Sequence, residues 1–400
     1  MDTTAEKTEF QVKFVRIGEM TRHPNADKLS LVSVDGYPVV VRTEDYKTGD
    51  LAVYVPVDAI VPTTRPEFAF LKHEGKDTHR IRAAKLRGIF SMGLLVKPQG
   101  ETFTEEEIAN NVITSTDPPY SLPLHEYLGI EKYIPPEERA LLSQGLTGGN
   151  RPKKKGPKLP VYGLDPLRKY GDVLQEGEEV VITEKIHGCN ARYYHDGSRL
   201  WVGSHKTMRG STRHRIVEFF SQMKIKLFNF LGIEHRAHLV GNVGDVWWEI
   251  AEQYKLKEKL SKKPGFVLYG EIYGEGVQAG FTYDSPKGRK FRAFDVYDLK
   301  NQRFLDYADF RVFVEEIGLQ PTDIVPIVTF NNETCGPTIA AWTEGTKAAA
   351  LTYANTGKST LASHMCEGVV VKPAIERMDP RCGRVALKFA GSDYLLRKEG

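Results

Sequence analysis

Cysteine is scarce in this 400-residue chain: Cys189, Cys335, Cys366 and Cys382 lie far apart, and none forms a C-x-x-C pair. That spacing argues against a zinc site and against a disulfide framework, so the four are read as reduced thiols. Long apolar runs are missing as well. No stretch approaches the roughly 18 apolar residues that span a bilayer, and Met1 to Phe10 is polar and acidic with no apolar signal core. The expectation is an intracellular, cytoplasmic, soluble protein that does not enter membranes. Charge of one sign is not in excess either, because 55 Lys and Arg stand against 52 Asp and Glu for a formal net charge of +3. A nucleic-acid partner must then be held by local basic patches rather than by a global field. No internal repeat is visible.

What is present is the composition of a globular protein, with 40% apolar and 27% charged residues. A chain of this length exceeds one ordinary core, so two domains are expected. From Phe10 to about Pro98 short alternating runs follow one another: Phe10 to Ile17, Leu29 to Val34, Tyr37 to Val41, Leu51 to Val55 and Met92 to Val96, with turns such as Asp35-Gly36 and Thr48-Gly49-Asp50 between them. Five short strands in about 90 residues predict a small closed barrel of the OB-fold kind, a nucleic-acid-binding domain over residues 1–98. Residues 99–160 carry Glu105-Glu106-Glu107, the proline-rich Asp117 to Pro123 and the basic Arg151 to Lys158, and read as a linker region. From 161 to 400, β-rich runs alternate with helical ones at His214 to Phe230 and Glu249 to Leu260, an α+β pattern.

Chemistry is concentrated in that second region. Val180 to Lys185 is a β-run that ends in a lysine, followed at once by the polar turn Ile186-His187-Gly188-Cys189-Asn190. A lysine so placed faces a cleft at a strand end, but an ammonium near roughly 10.4 is no nucleophile at pH 7 unless neighbouring cations or desolvation strip its proton. Taken alone it reads first as an ordinary surface lysine before a turn. Two further β-runs set a carboxylate beside a glycine, Glu271 in Phe266 to Tyr273 and Glu367 in His364 to Pro373. Such carboxylates can hold Mg²⁺ or Mn²⁺, or bind ribose hydroxyls. Phe294 in Lys290 to Tyr297 can stack on a purine. In Arg384 to Ala390, strand alternation separates Val385, Leu387 and Phe389 from Lys388, which is left to face a cleft.

The order of these segments resembles the covalent nucleotidyltransferases: RNA ligases, DNA ligases and mRNA capping enzymes. The form Glu184-Lys185-Ile186-His187-Gly188-Cys189-Asn190 is similar to the RNA ligase branch, and Arg80 to Leu94 resembles RNA ligases with an OB domain ahead of the catalytic domain. The resemblance implies an α+β fold with an N-terminal OB barrel and a nucleotidyltransferase domain of antiparallel sheets flanked by helices. It implies ATP and Mg²⁺ or Mn²⁺ as cofactors, and as partner an RNA with 5′-phosphate and 3′-hydroxyl ends, in a duplex nick or free, served by a monomer. Lys185 would become lysyl-AMP; Glu184, His187 and Asn190 would shape the nucleotide pocket. Glu271 would bind ribose or support metal, Phe294 would sandwich the adenine, Glu367 would organise the metal, and Lys388 would grip the α-phosphate.

Two departures stand against the pattern. Where the RNA ligases carry Ser-Arg, this chain reads Gly203-Ser-His-Lys-Thr-Met-Arg209, leaving the ribose or phosphate contact to His205, Lys206 or Arg209. Where the last motif often reads Lys-x-Lys, position 386 is alanine, and Lys372 is the candidate to compensate. In the N-terminal region, Arg80, Arg82, Lys85 and Arg87 form a candidate RNA-phosphate stripe, and His23-Pro-Asn-Ala-Asp-Lys-Leu29 resembles OB domains that bind tRNA or structured RNA, while also serving as a plain turn. Gly357-Lys358-Ser359-Thr360 looks like the end of a phosphate-cradling loop, but position 352 is threonine where that motif needs glycine, and it is rejected. Capping guanylyltransferase and DNA ligase remain alternatives, although both usually place the OB domain downstream; a catalytically silent RNA-binding protein is the alternative outside the enzymes.

Overall fold

The computed structural model describes residues 10–98, 102–116, 119–134, 156–205, 207–209, 245–278, 281–284, 288–326, 328 and 340–397. The helix expected over His214 to Phe230, together with Lys206, Cys335 and Lys153 to Lys155 of the basic run, lies outside them. Two compact units emerge, Met1–Arg139 with Leu395–Arg397, and Ala140–Tyr394 with Lys398–Gly400. No described helix is long and apolar enough to cross a membrane.

In the first unit the alternating runs become short strands: β1 (Lys13–Arg16), β2 (Met20–Arg22), β3 (Leu29–Val34), β4 (Tyr37–Arg42), β5 (Leu51–Val55), β6 (Ala59–Pro62), β7 (Thr78–Arg80), β8 (Ala84–Leu86), β9 (Ile89–Ser91) and β10 (Leu94–Val96). They pair as β2-β3-β4, β1-β5-β10, β6-β7 and β8-β9. Asp35 and Gly36 close the β3–β4 hairpin at φ of 50° and 78°, the backbone a two-residue hairpin turn demands. Alternation along β5 sends Val53 and Val55 into one apolar cluster and Ala52 and Tyr54 into another, so this strand is buried on both faces.

The expected linker is in part built structure. Thr104 caps the helix Glu105–Asn110 in a capping box with Glu107, and strands β11 (Val112–Thr116) and β12 (Pro119–Pro123) form a hairpin. The short helix Leu124–Tyr127 and β13 (Glu131–Lys132) follow, the latter pairing with β6. Ile113, Leu124, Leu128 and Ile130 join Phe14, Phe68 and Ile81 in one core. The acidic triplet misled because three glutamates in a first turn complement the helix dipole as readily as they solvate a linker. Hydrogen bonds from Thr114 and Thr104 hold the Glu107 carboxyl down to about 2.

The second unit is built on two sheets. One runs β14 (Asp165–Pro166), β24 (Leu387–Ala390), β23 (Gly368–Pro373), β15 (Glu179–Lys185) and β22 (Ala340–Ala341). The other runs β18 (Met208–Arg209), β17 (Leu200–Ser204), β16 (Cys189–His195), β19 (Phe266–Gly274), β20 (Arg289–Asp298) and β21 (Arg303–Phe304). Each sheet buries one face under helices. Val180, Ile182, Val369, Val371, Leu387 and Phe389 pack with Ala350 and Ala354 of the helix Glu344–Thr356. Ala191, Tyr193, Leu268 and Phe291 pack with Ile250, Leu256, Leu260 and Phe310 of three further helices, Val246–Gln253, Leu256–Leu260 and Tyr307–Glu316. The single helix expected from Glu249 to Leu260 is two, because Lys255 takes a left-handed φ of 51° between them. Period-two alternation then leaves Thr183, Lys185, Val370, Lys372 and Lys388 on the uncovered face of one sheet, and Asn190, Glu271, Arg292 and Phe294 on that of the other.

Candidate active site

An open cleft of about 660 Å³ lies at these uncovered faces, bordered by Thr183, Lys185, Asn190, Glu271, Phe294 and Val370. Cross-strand register explains the convergence. Thr183 pairs with Val370 and Val370 with Lys388, so Lys388 stands in the row beside the nucleophile candidate. Asn190 pairs with Glu271 on the facing sheet. Gly368, opposite Lys185, has a φ of +156°, and a β-carbon there would overlap the Phe389 carbonyl oxygen. Gly188 lets the turn after Lys185 press on β19, where a β-carbon would strike the Ile272 carbonyl oxygen.

Within the cleft, the Lys185 ammonium donates to the Glu367 carboxylate. Burial pulls the lysine pKa down, but the Glu367 charge outweighs it and leaves the group raised. Burial raises the Glu367 carboxyl and the neighbouring Lys185 and His187 lower it, with a net lowering. Glu271 is pushed up to about 8, first by burial and then by the Glu367 charge, against the pull of Lys185. Lys388 is lowered to about 8 by burial. His187 Nδ1 lies 2.9 Å from the Tyr394 hydroxyl and 3.3 Å from Glu367. Among the described residues the buried Asn190 Oδ1 has no hydrogen-bond partner.

Other expected residues are placed differently. Glu184 borders the cleft, but its carboxylate lies on the helix-covered face of its sheet, where it accepts from Ser359 Oγ at 2.5 Å, Thr360 N at 2.7 Å and Thr360 Oγ1 at 2.5 Å. The hydroxyls of the rejected phosphate-loop motif are therefore its anchors. Lys372 also borders the cleft, with its ammonium 2.7 Å from the fully buried Asp295. Arg384 at 2.5 Å and the Tyr162 hydroxyl at 2.9 Å complete that acceptor's shell. Arg209 is outside the cleft lining, bound to Asp245 at 2.7 Å and stacked over Trp247 at 4.1 Å. His205 meets the Tyr162 carbonyl at 2.9 Å. Sequence reading missed Tyr162, whose ring lies 4.6 Å from that of Phe294, and Asp295, the residue next to Phe294; only the aromatic of the Phe-Asp pair drew notice.

In the first unit, Arg82, Lys85 and Arg87 are exposed. Arg80 instead pairs with Asp58 at 2.6 Å and stacks on Tyr133 at 3.4 Å. His23 Nε2 lies 3.1 Å from the Leu86 carbonyl, and its Nδ1 accepts from Asn25 N at 3.0 Å, so the His-Pro-Asn segment braces the hairpin that carries Lys85 and Arg87.

A family model described as RNA ligase matches residues 178–390, more than half of the chain and a span that includes Lys185, Glu271, Glu367 and Lys388. The chain belongs to the RNA ligase family. An OB-fold domain model matches residues 12–98, over the N-terminal strands. Solved structures of a Naegleria gruberi RNA ligase share the fold: one with ATP and Mn has a TM-score of 0.66 at 21% identity, covering 97% of this chain and 99% of that one. Another, with PPi, has a TM-score of 0.65 at 20% identity over 97% and 98% of the two chains. The phenylalanine–tRNA ligase beta subunit of Geobacter metallireducens is 28% identical over 122 residues, which is 30% of this chain and 13% of that protein. The corresponding subunit of Dehalococcoides mccartyi is 32% identical over 118 residues, 28% and 13% of the two chains. This chain thus spans only about an eighth of those curated relatives.

Proposed function

We propose that this member of the RNA ligase family is an ATP-dependent RNA ligase that carries AMP on Lys185. The observation that supports the reading is the Lys185–Glu367 ion pair beside the buried Glu271 at an open cleft with an aromatic wall, with Lys388 on the same sheet face in the neighbouring register row. The Lys185 amine would attack the α-phosphorus of ATP, forming a P–N bond as pyrophosphate leaves and the ammonium's proton is lost. The RNA 5′-phosphate oxygen then takes the adenylyl group from Lys185, and finally a 3′-hydroxyl attacks that 5′-phosphorus, expelling AMP. Each step is an in-line displacement that builds negative charge on phosphoryl oxygens. The partner is RNA bearing a 5′-phosphate and a 3′-hydroxyl, in a duplex nick or as free ends, handled by one chain in the cytoplasm.

The geometry supports a role for each residue. Phe294, backed by Tyr162, offers a flat apolar wall for the adenine. Asn190 Oδ1 and Glu271 offer acceptors for ribose hydroxyls, and Lys388, in the row beside Lys185, would meet the phosphates in its protonated form. No group of three or more His, Cys, Asp or Glu side chains able to hold a metal occurs among the described residues. A divalent cation that keeps several waters and binds phosphate oxygens needs only one or two carboxylates, and Glu271 and Glu367 fit that requirement. When bound, Mg²⁺ or Mn²⁺ would supply positive charge at the phosphates. Glu367 holds the Lys185 proton in the cleft, and added positive charge nearby favours its departure.

The test is transfer of label from ATP or GTP to the protein, followed by joining of RNA ends. Label from ATP alone, with both transfer and joining lost in Lys185→Ala, is the expected result. Exclusive GMP transfer would assign the chain to capping chemistry, and undiminished joining in Lys185→Ala would remove the mechanism altogether.

A further inference from the structure

The turn after the nucleophile and the segment leading to Glu367 are held by one short stretch that none of the roles above uses. Tyr283 is 3% exposed, and its hydroxyl accepts from the His187 backbone N–H at 2.6 Å, two residues beyond Lys185. The next residue, Asp284, accepts from Ser363 N at 2.6 Å and from Ser363 Oγ at 3.1 Å, four residues ahead of Glu367. Aromatic packing repeats the connection. Phe281 sits 4.6 Å from His187 and 4.9 Å from His364, and Tyr283 sits 4.6 Å from His364 and 5.0 Å from Tyr273.

This stretch carries backbone strain. Tyr283 and Asp284 have φ of 54° and 48°, two successive non-glycine residues in the left-handed region. Such conformations are uncommon outside glycine, persist only where the surroundings impose them, and gather at functional sites. Here the surroundings are the two arms of the Lys185–Glu367 pair. The His187 N–H is a group that the β-ladder does not satisfy, since β15 ends at Lys185 and β16 begins at Cys189. Its bond to the Tyr283 hydroxyl fixes the peptide plane just past the nucleophile. On the other side, the Ser363 bonds fix the chain that delivers the Glu367 carboxylate.

We infer that Phe281–Asp284 is a strap that sets the separation of Lys185 from Glu367, with Tyr283 and Asp284 as positioning residues for lysyl-AMP formation. The inference rests on the lysyl-AMP reading of this site. Reactions between aligned groups lose rate steeply when one is displaced by even an ångström, so loosening the strap acts on the step that needs the Lys185 amine. The residues proposed to contact ATP, Phe294, Asn190 and Glu271, lie on other elements. The last sealing step, attack of a 3′-hydroxyl on an RNA end that already carries AMP, does not use the amine.

The experiment compares full-length wild type with Tyr283→Phe, which removes only the hydroxyl, and with Asp284→Asn, which keeps the shape of the acceptor. Single-turnover lysyl-AMP formation from ATP with Mg²⁺, the KM for ATP, and sealing of a chemically 5′-adenylylated RNA strand are measured for each. Tyr283→Phe is expected to lower the maximal rate of lysyl-AMP formation about tenfold, while KM and the sealing of adenylylated RNA change less than about twofold. Asp284→Asn is expected to lower the same rate about threefold, with the same selectivity. An unchanged lysyl-AMP rate in both variants overturns the inference. So does an equal loss in both steps, because a loop that merely supports the fold gives that pattern. If wild type takes up no AMP, the ligase reading itself fails, a result recognisable without either variant.

Discussion

Glu271 carries the clearest pH signature of any single side chain in the cleft. Burial, and then the Glu367 charge, push its carboxyl up to about 8, so below that pH the protein holds a proton where a cation would bind. A divalent ion must displace that proton, and its apparent affinity falls as pH drops below 8, by up to about tenfold per unit, and levels off above it. Titrating Mn²⁺ into ATP-dependent self-adenylylation between pH 6.5 and 9 should show this slope, and Glu271→Gln should abolish it. A wild-type slope that is flat, or of opposite sign, contradicts the placement of the cation. Strand alternation makes Lys185, Glu271 and Lys388 legible in the sequence by placing them on the uncovered faces, but not Glu367, which precedes β23 in step with the helix-covered Val369 and Val371 and meets Lys185 from just outside the strand. The fates of Arg209, Lys372 and Arg80 were not legible. A sequence shows a cation but not its partner, and Asp245, Asp295 and Asp58 stand 36, 77 and 22 residues away.

Among the elements, the turn from Lys185 to Cys189 depends most on tight packing, for Gly188 presses against the backbone of β19 beside Glu271. Gly188→Ala should force the turn away from Glu271 and lower the rate of lysyl-AMP formation at least about a hundredfold, with the far-UV circular dichroism spectrum retained; a fully active variant would show that the turn has room to spare. Strand alternation had given β3 and β5 to the residue, and a turn dipeptide had given the β3–β4 hairpin. The β6 to β9 strands escaped notice because three or four residues are too few to display a period. The segment 105–132 was misread because its acidic and proline-rich composition imitates a linker, whereas its capping box and four buried aliphatics tie it into a core. A Thr or Ser followed three residues later by Glu, as in Thr104 to Glu107, was the signal available.

At the scale of the whole molecule the proposed roles fall to separate units: the N-terminal OB domain would hold RNA and the nucleotidyltransferase unit would perform the chemistry. Replacing Arg82, Lys85 and Arg87 together by alanine should weaken RNA binding and flatten its salt dependence, by about 0.7 in logarithmic slope for each phosphate no longer neutralised. Lysyl-AMP formation should stay within about twofold of wild type, since none of the three borders the cleft. Equal loss of both activities would refute the division. The small net charge of +3 concealed this surface, because an exposed stripe of three cations is diluted by 52 acidic residues elsewhere. Beneath every scale lies one claim, that the amine of residue 185 is the temporary carrier of a nucleotide. Mass measurement of the intact protein after exposure to ATP and Mg²⁺, with the modified peptide sequenced, tests it most directly. A single added AMP, on Lys185 and released by RNA ends, is the expected result; an unmodified protein, or AMP on any other residue, would rule that carrier role out.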